Sequence, residues 1–337
     1  MLLRLLQLLL SSLCLAPHTR ATVLLLGPTT NLQVPDQQAS AGGVDSAEIV
    51  RQLLLLLDGG GVSAWNSTFT HLSNSGGALH ARQQVFGFMS AAQQSNYARA
   101  AKKLNLKLSI ETGGAFCGVG SGAKHGQATL KMLAPFLAAG GHFSYLALES
   151  CFSRTHAGCK TQTQQVTANE VTAFAAALAR GFGGQPPKFF LYDALPHMTV
   201  DKAAPGGGKW PRNNPNYDLD LGTLLRLLRT AMSPQVKLEG YWMDCPYEFS
   251  RDFPNATSPL PAGSGFQKVA DAAALVKGMG LRVGKTFNSL QGGQTSDQLF
   301  HASTLQDYLR TTQAAGGSAG AYAHPFNTGC LPTPELQ

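Results

Sequence analysis

Short runs in which apolar and polar residues alternate recur along the chain. In the run 106–111, Leu106, Leu108 and Ile110 alternate with polar residues and the run ends at Glu111. Alternation with a period of two is typical of a β-strand, and helix-like stretches between successive strands are typical of a parallel sheet. The same pattern predicts further strands at 85–89, 143–149, 188–193, 240–244, 282–288 and 320–324.

Four of these predicted strands end at an acidic residue. The acids are Glu111, Glu149, Asp193 and Asp244. In a (β/α)8 barrel the carboxyl ends of all strands form one rim, and active sites are built on that rim. We therefore predict the α/β class and a (β/α)8 TIM barrel, with an irregular first strand because residues 61–84 show no clear element.

Helix signals separate the strands. Ser90 is a good N-cap for a helix that continues to about residue 104, and glycines end several of the later stretches. The predicted helices cover 44–58, 90–104, 128–139, 168–180, 221–232, 265–279 and 296–314. Residues 22–84 then form an N-terminal segment with a helix that joins the barrel, and residues 85–337 form its main body.

The first 21 residues have the pattern of a secretory signal peptide. A short basic start precedes an apolar run, and small residues follow. A buried helix is the alternative. Glycosylation sequons at Asn66 and Asn255 agree with a secreted glycoprotein. No membrane span is predicted once the signal is removed, because no later stretch is long and apolar enough.

Charge and cysteine content narrow the function further. The formal net charge of +7 is spread thinly, without the clustered Lys and Arg of a nucleic-acid surface, so nucleic acid is not an expected partner. Removal of the signal would take Cys14 with it and leave an odd number of cysteines, which favours one or two disulfides and a free thiol. The oligomeric state is left open.

The rim acids suggest glycosidic bond cleavage. That reaction needs one carboxyl group to protonate the leaving oxygen and a second to attack the sugar or activate water. We expect Glu149 and Asp244 to be this pair, with Glu111 and Asp193 tuning them, and the order of the roles stays open. Single acids that cap a helix or pair with Arg154 or Arg251 are the structural alternative. The candidate substrate-binding residues are Trp242, Tyr247, Glu248, Lys285, Asn288, Tyr322 and His324.

Other chemistries have weaker support. Lys285 in a barrel strand could form a Schiff base, as in a lyase, although a lysine paired with a carboxylate is the commoner case. No HxH or HExxH spacing is present, so no metal is expected. Because nucleotide-binding motifs are also missing from the sequence, no cofactor is expected.

Five segments in the same order resemble a family of secreted bacterial glycoside-hydrolase-like (β/α)8 barrel proteins. They are 143–152, 191–196, 241–244, 283–288 and 323–326. The resemblance implies a carbohydrate partner, and it suggests a disulfide between Cys117 and Cys159. The family pattern has further acids where this chain has Ser150 and Leu195. A non-catalytic carbohydrate-binding or extracellular matrix protein on the same scaffold is therefore the alternative function.

Overall fold

The computed structural model describes residues 25–26, 54, 73, 78–183, 186–203, 207–213, 216–232, 236–252 and 264–286, and single helical residues between 303 and 313. Within them, seven strands form one sheet in the order β1-β2-β3-β4-β5-β9-β10, and every neighbouring pair is parallel. Their bounds are β1 Leu25–Leu26, β2 Ala78–Arg82, β3 Lys107–Gly113, β4 Tyr145–Glu149, β5 Lys188–Ala194, β9 Leu238–Asp244 and β10 Arg282–Thr286.

Helices connect these strands along the chain. Their bounds are α1 Gln83–Phe88, α2 Ala91–Lys103, α3 Ser121–Ala138, α4 Cys151–Gly158, α5 Gln164–Gly181, α6 Leu221–Ala231, α7 Tyr247–Asp252 and α8 Ser264–Gly278. The sheet is curled, with helices between its strands. The predicted fold class, an α/β (β/α)8 barrel, is confirmed. The predicted strand at 320–324 and the helix at 44–58 lie outside the described residues, apart from residue 54.

The two faces of the sheet have different cores. Leu108 and Ile110 of β3 belong to the large apolar core that includes helix residues such as Phe136 and Phe174. The opposite face carries a smaller cluster in which Phe190 of β5 stacks on Trp242 of β9, with ring centroids 4.7 Å apart. Successive residues of a strand point to opposite faces, so the smaller cluster fills the inside of the curled sheet.

One predicted strand is wrong. Residues 85–89 were expected to be extended, but residues 83–88 form the short helix α1, which buries Val85 and Phe86. The strand is β2, which lies just upstream and has Leu79 and Ala81 on the helix-covered face. Its other face carries His80 and Arg82, and these polar residues made the segment resemble a loop.

The remaining helix predictions differ from the structure mainly at their ends. Helix α2 begins after Ser90, whose side chain accepts a hydrogen bond from the backbone of Gln93 while the Gln93 side chain accepts one from Ser90. Two helices start earlier than predicted, since α3 begins at Ser121 and α5 at Gln164. Helix α4 lies in a segment that was expected to be a loop.

The long connection at 194–220 folds into a small three-stranded sheet. Its strands are β6 (Met198–Asp201), β7 (Lys209–Trp210) and β8 (Leu219–Asp220), in the order β7-β6-β8. The buried amino group of Lys268 on α8 donates to the carbonyls of Met198, at 2.8 Å, and Pro211, at 3.0 Å. These bonds attach the insertion to the barrel.

A disulfide joins two connections on the carboxyl side of the sheet. Cys117, between β3 and α3, is bonded to Cys159, at the end of α4, and their Cα atoms are 5.8 Å apart. This is the pairing that the family resemblance suggests. No helix among the described residues is both long and apolar enough to cross a membrane.

Candidate active site

Three of the four predicted acids lie on the inner face at the carboxyl ends of their strands, β3, β4 and β9. Glu111 shares the inner face of β3 with Ser109, and Glu149 shares that of β4 with Ala147. Asp244 follows the inner residue Trp242 on β9. The charge of Glu111 acts on both Glu149 and Asp244, so the structure brings these three acids into one cluster.

Glu111 is held by two basic residues of β2. His80 Nε2 lies 3.4 Å from Glu111 Oε2, and Arg82 Nε lies 3.3 Å from Glu111 Oε1. The other ring nitrogen of His80, Nδ1, lies 2.9 Å from Ser109 Oγ. His80, Ser109 and Glu111 are all at most 4% exposed, so these contacts are made in the barrel interior.

Both basic residues were missed in the sequence, because the strand that carries them was placed too late in the chain. The segment Ala78-Leu-His-Ala-Arg82 does alternate, with Leu79 and Ala81 on one face. This period of two, shortly before a helix cap at Ser90, was the available signal.

Glu149 stands at a tightly constrained point of the rim. Its Oε1 accepts a hydrogen bond of 2.6 Å from Arg154 on α4. The next residue, Ser150, has a φ of 50°, in the left-handed region that non-glycine residues seldom adopt. On the other side, a Cβ at Gly113 would lie 2.3 Å from the Glu149 carbonyl oxygen, so only glycine fits there.

The surroundings of Glu149 favour its protonated form. Burial, followed by repulsion from the charge of Glu111, raises the pKa of Glu149 from 4.5 to about 7. Arg154 and Arg82 oppose this rise. The burial effect dominates, so Glu149 can keep a proton near neutral pH.

Asp244 is affected in the same way and to a similar extent. Burial and the charge of Glu111 raise the pKa of Asp244 from 3.8 to about 6, against the opposing effects of Arg82 and Lys285. Asp244 therefore loses its proton at a lower pH than Glu149. Most of the interval between the two pKa values is the ordinary difference between Glu and Asp, 4.5 against 3.8. Burial moves both values toward neutral pH, where one group can be protonated while the other is ionised.

Arg82 balances this cluster of acids. Burial acts to lower the pKa of Arg82, but Glu111, Glu149 and Asp244, together with Tyr192, raise it above its ordinary value. Its guanidinium therefore stays charged. The inner face consequently holds the permanent charge of Arg82 beside the carboxylate of Glu111. The other two carboxyl groups, those of Glu149 and Asp244, gain and lose protons near neutral pH.

Asp193 lies on the other face of the sheet from this cluster, although its charge adds a minor contribution to the raised pKa of Asp244. It is fully buried on the opposite face of β5 from Tyr192, where it accepts hydrogen bonds from the backbone amides of Phe152 and Ser153 and from Ser153 Oγ. These groups belong to the first turn of α4. Asp193 therefore caps α4 from a neighbouring strand.

Lys285 also points away from the inner face. It is in register with Met243 of β9, which belongs to the helix-covered core, and its amino group pairs with the buried Asp307. A Schiff-base lysine must reach a substrate carbonyl, and this ion pair faces the helices. The lyase chemistry considered for Lys285 is not supported by this position.

The aromatic candidates are packed into the protein. Trp242 is 4% exposed and lies between Phe190 and the ring of His80, which is 6.0 Å away. Tyr247 on α7 is 9% exposed and donates a hydrogen bond to Gln306 Oε1. Neither ring offers an open face for stacking on a sugar. Glu248 is partly exposed on α7.

Three predicted site residues, Asn288, Tyr322 and His324, lie outside the described residues. In the part of the chain that is described, no group of three or more His, Cys, Asp or Glu residues has the arrangement to hold a metal ion.

No protein-family model matches the chain, and no curated protein matches it. Similar solved structures include a fungal β-1,4-galactanase, with 12% identity and a TM-score of 0.46 over 90% of this chain and 89% of that one. D-psicose 3-epimerase has 8% identity and a TM-score of 0.41, over 80% and 81% of the two chains. The carboxyl transferase domain of Rhizobium etli pyruvate carboxylase has 13% identity and a TM-score of 0.46, over 93% of this chain and 42% of that one. Likeness at this level supports no inference about chemistry.

Proposed function

We propose that the chain is a secreted glycoside hydrolase whose carboxyl pair is Glu149 and Asp244. One observation carries the proposal: three carboxyl groups from three strands share the inner rim, and burial and the charge of Glu111 raise the pKa values of Glu149 and Asp244 toward neutral pH. Glycosidic cleavage needs such a pair, with one member protonated and the other ionised.

The pKa order assigns the roles. Glu149, with a pKa of about 7, is the general acid that protonates the leaving oxygen. Asp244, with a pKa of about 6, is ionised when Glu149 is still protonated, and it either attacks the sugar or activates water. Glu111 keeps both pKa values raised through its charge, and Arg82 limits the total negative charge on the inner face.

The rest of the chain is consistent with an extracellular carbohydrate substrate. The disulfide between Cys117 and Cys159 suits an oxidising compartment. The proposed signal peptide at 1–21 and the sequons at Asn66 and Asn255 agree with this location, although they lie outside the described residues. Asn288, Tyr322 and His324 remain proposed substrate-binding residues, because they belong to the strands predicted at 282–288 and 320–324.

A carbohydrate-binding protein without turnover is the second candidate. The contact that favours it is the hydrogen bond of 2.6 Å between Arg154 and Glu149, because a carboxyl group paired with a guanidinium is a poorer proton donor. In this case the barrel would bind a glycan and the rim acids would serve recognition.

Hydrolysis of matched glycosides tests the proposal. Wild type, Glu149→Gln and Asp244→Asn are compared on two kinds of substrate. The nitrophenolate group of nitrophenyl glycosides leaves without protonation, whereas the alkoxide group of alkyl glycosides must be protonated by an acid as it leaves. We expect Glu149→Gln to lose about 10²–10⁴-fold in kcat/KM on the alkyl substrates and much less on the nitrophenyl ones. Asp244→Asn should lose activity on both.

Glu239→Gln is the matched control, because Glu239 lies on the same strand as Asp244 but near its other end, beside Lys237. It should retain wild-type kcat/KM. If wild type binds glycans without any turnover, the hydrolase proposal is wrong and the carbohydrate-binding function takes its place. If Glu149→Gln is as active as wild type on alkyl glycosides, Glu149 is not the general acid.

A further inference from the structure

A buried hydrogen-bonded chain runs from Ser109 through His80 to Glu111. The Ser109 Oγ to His80 Nδ1 distance is 2.9 Å, and the His80 Nε2 to Glu111 Oε2 distance is 3.4 Å. Each side chain comes from the inner face of β2 or β3, whose pairing sets His80 beside Ser109 in register. The chain is built into the sheet and does not depend on a loop.

The partners of Glu111 determine which nitrogen of His80 carries hydrogen. An ionised carboxylate can only accept hydrogen bonds, and Arg82 at 3.3 Å favours this ionised form. His80 Nε2 must therefore donate its hydrogen to Glu111. When the ring is neutral, Nδ1 is then an acceptor, and the Ser109 hydroxyl, which can donate or accept, donates to it.

We propose that His80 is a positioning residue, fixed by Ser109 as the Nε2–H tautomer, which keeps the Glu111 carboxylate ionised and oriented toward the Glu149 and Asp244 pair. The catalytic importance of this positioning rests on the proposed function. The hydrogen bonds from Ser109 through His80 to Glu111 do not depend on it. Of the contacts described above, the one that links His80 to the acid pair is its hydrogen bond to Glu111.

The charged and titratable groups around Glu111 come from four strands. Besides His80 and Arg82 on β2, they are Glu149 on β4, Tyr192 on β5 and Asp244 on β9. Burial, Asp244 and Glu111 raise the pKa of Tyr192 well above its ordinary value, so it stays neutral. We therefore expect a substitution of His80 to change the charge of Glu111. The titrations of Glu149 and Asp244 should reveal that change.

The tautomer is tested first, in the whole chain without substrate. Nitrogen-15 NMR of the His80 ring should show an acceptor-type Nδ1 and a hydrogen-bearing Nε2 at neutral pH. Ser109→Ala removes the donor to Nδ1, so we expect the Nδ1 signal to shift while the ring stays in place. A wild-type ring with hydrogen on Nδ1, either alone or together with Nε2, would overturn the proposal.

The effect on Glu149 is tested by carbon-13 NMR titration of its carboxyl group. His80→Leu leaves Glu111 with less support for its charge, so the apparent pKa of Glu149 should fall by about half a unit to one unit. His80→Gln retains an N–H donor and should restore the wild-type value. An unchanged titration in a folded His80→Leu protein would overturn the proposal.

His125→Leu is the matched control, since His125 lies on α3 among Phe116 and Phe174, away from the inner face. Its loss should leave the Glu149 titration unchanged. If His80→Leu does not fold, the Ser109→Ala nitrogen signals decide. Because none of these measurements uses a glycoside, absence of hydrolysis by wild type would contradict the proposed function and leave this inference standing.

Discussion

Glu111, Glu149 and Asp244 differ in what surrounds each carboxyl group, and this difference gives them different roles. Glu111 has two basic neighbours on β2, whereas burial and the charge of Glu111 dominate at the other two. A carboxyl group with a raised pKa makes the folded state less stable wherever the unfolded chain would be ionised. The site therefore carries a cost in stability that a substitution should recover.

Glu149→Gln should stabilise the protein at alkaline pH. Below its ordinary value of 4.5 Glu149 is protonated in both states, but between 4.5 and about 7 only the unfolded chain releases the proton, so stability falls as pH rises. Above about 7 the cost is complete, on the order of 3 kcal/mol. Urea unfolding should show a gain for Glu149→Gln at pH 8 that disappears near pH 4.

Glu239→Gln serves as the control in the same unfolding experiment, because it removes a carboxyl group whose side chain is 26% exposed at the other end of β9. Its stability should follow that of wild type at both pH values. A Glu149→Gln protein that is less stable than wild type at pH 8 would mean that the pair with Arg154 outweighs burial.

At the scale of elements, helix α4 connects the rim to the rest of the barrel. It carries Arg154 to Glu149, its first turn is capped by Asp193, and its end is tied to the β3–α3 connection by Cys159. The position of Arg154 therefore depends on two anchors that lie outside the acid cluster.

Asp193→Ala should destabilise the protein, with only a minor effect on the pKa of Asp244. It removes the acceptor for Phe152 N, Ser153 N and Ser153 Oγ, and we expect a loss of roughly 2–4 kcal/mol from the missing cap and the buried donors left without partners. Asp193→Asn keeps one oxygen acceptor and should lose less. Thermal and urea unfolding measure both.

The hydrolysis rate separates this capping role from a catalytic one. A folded Asp193→Asn protein should keep kcat/KM within about tenfold of wild type, because Asp193 makes no contact inside the mouth. A loss as large as that of Asp244→Asn, without loss of stability, would place Asp193 in the catalytic machinery instead.

The sequence predicted elements best where one face is uniformly apolar. The alternation of Leu108 and Ile110 with polar residues predicts strand β3. The same alternation predicts that Glu111 points to the inner face, as it does in the structure. Strand β2 was missed because its inner face is polar, with His80 and Arg82, and because the apolar Val85 and Phe86 that follow it belong to α1. Near the mouth of a barrel the buried inner face of a strand carries polar residues. The sequence of one strand does not reveal that these polar residues face the barrel interior and not solvent.

The direction of Asp193 and Lys285 shows the same limit. Both stand near the ends of their strands, but both share a face with core residues, Leu191 and Val283 respectively. Burial next to apolar neighbours then requires specific partners, which are the amides of α4 for Asp193 and Asp307 for Lys285. Those partners are distant in sequence, so spacing along the chain could not reveal them.

At the scale of the whole molecule, the curled parallel sheet gathers side chains that are far apart in the sequence. Glu111 and Asp244 are 133 positions apart by their numbers, yet they act on one another at the inner rim. Only a sheet with all strands parallel puts the ends of β3, β4 and β9 on the same side.

This gathering predicts a narrow pH optimum for hydrolysis. Activity needs Asp244 ionised, which fails below about 6, and Glu149 protonated, which fails above about 7. The pH profile of kcat/KM should therefore be bell-shaped with its maximum between these values. A profile that is flat from pH 5 to 8 would contradict the assignment of both roles.

The most direct test of the shared cluster is a carbon-13 NMR titration of the Glu149 and Asp244 carboxyl groups in wild type and in Glu111→Gln. We expect apparent pKa values of about 7 and about 6 in wild type, and a fall of both, by about one unit, when the charge of Glu111 is removed. Titration of both groups near 4 in wild type, or no change in Glu111→Gln, would contradict this expectation.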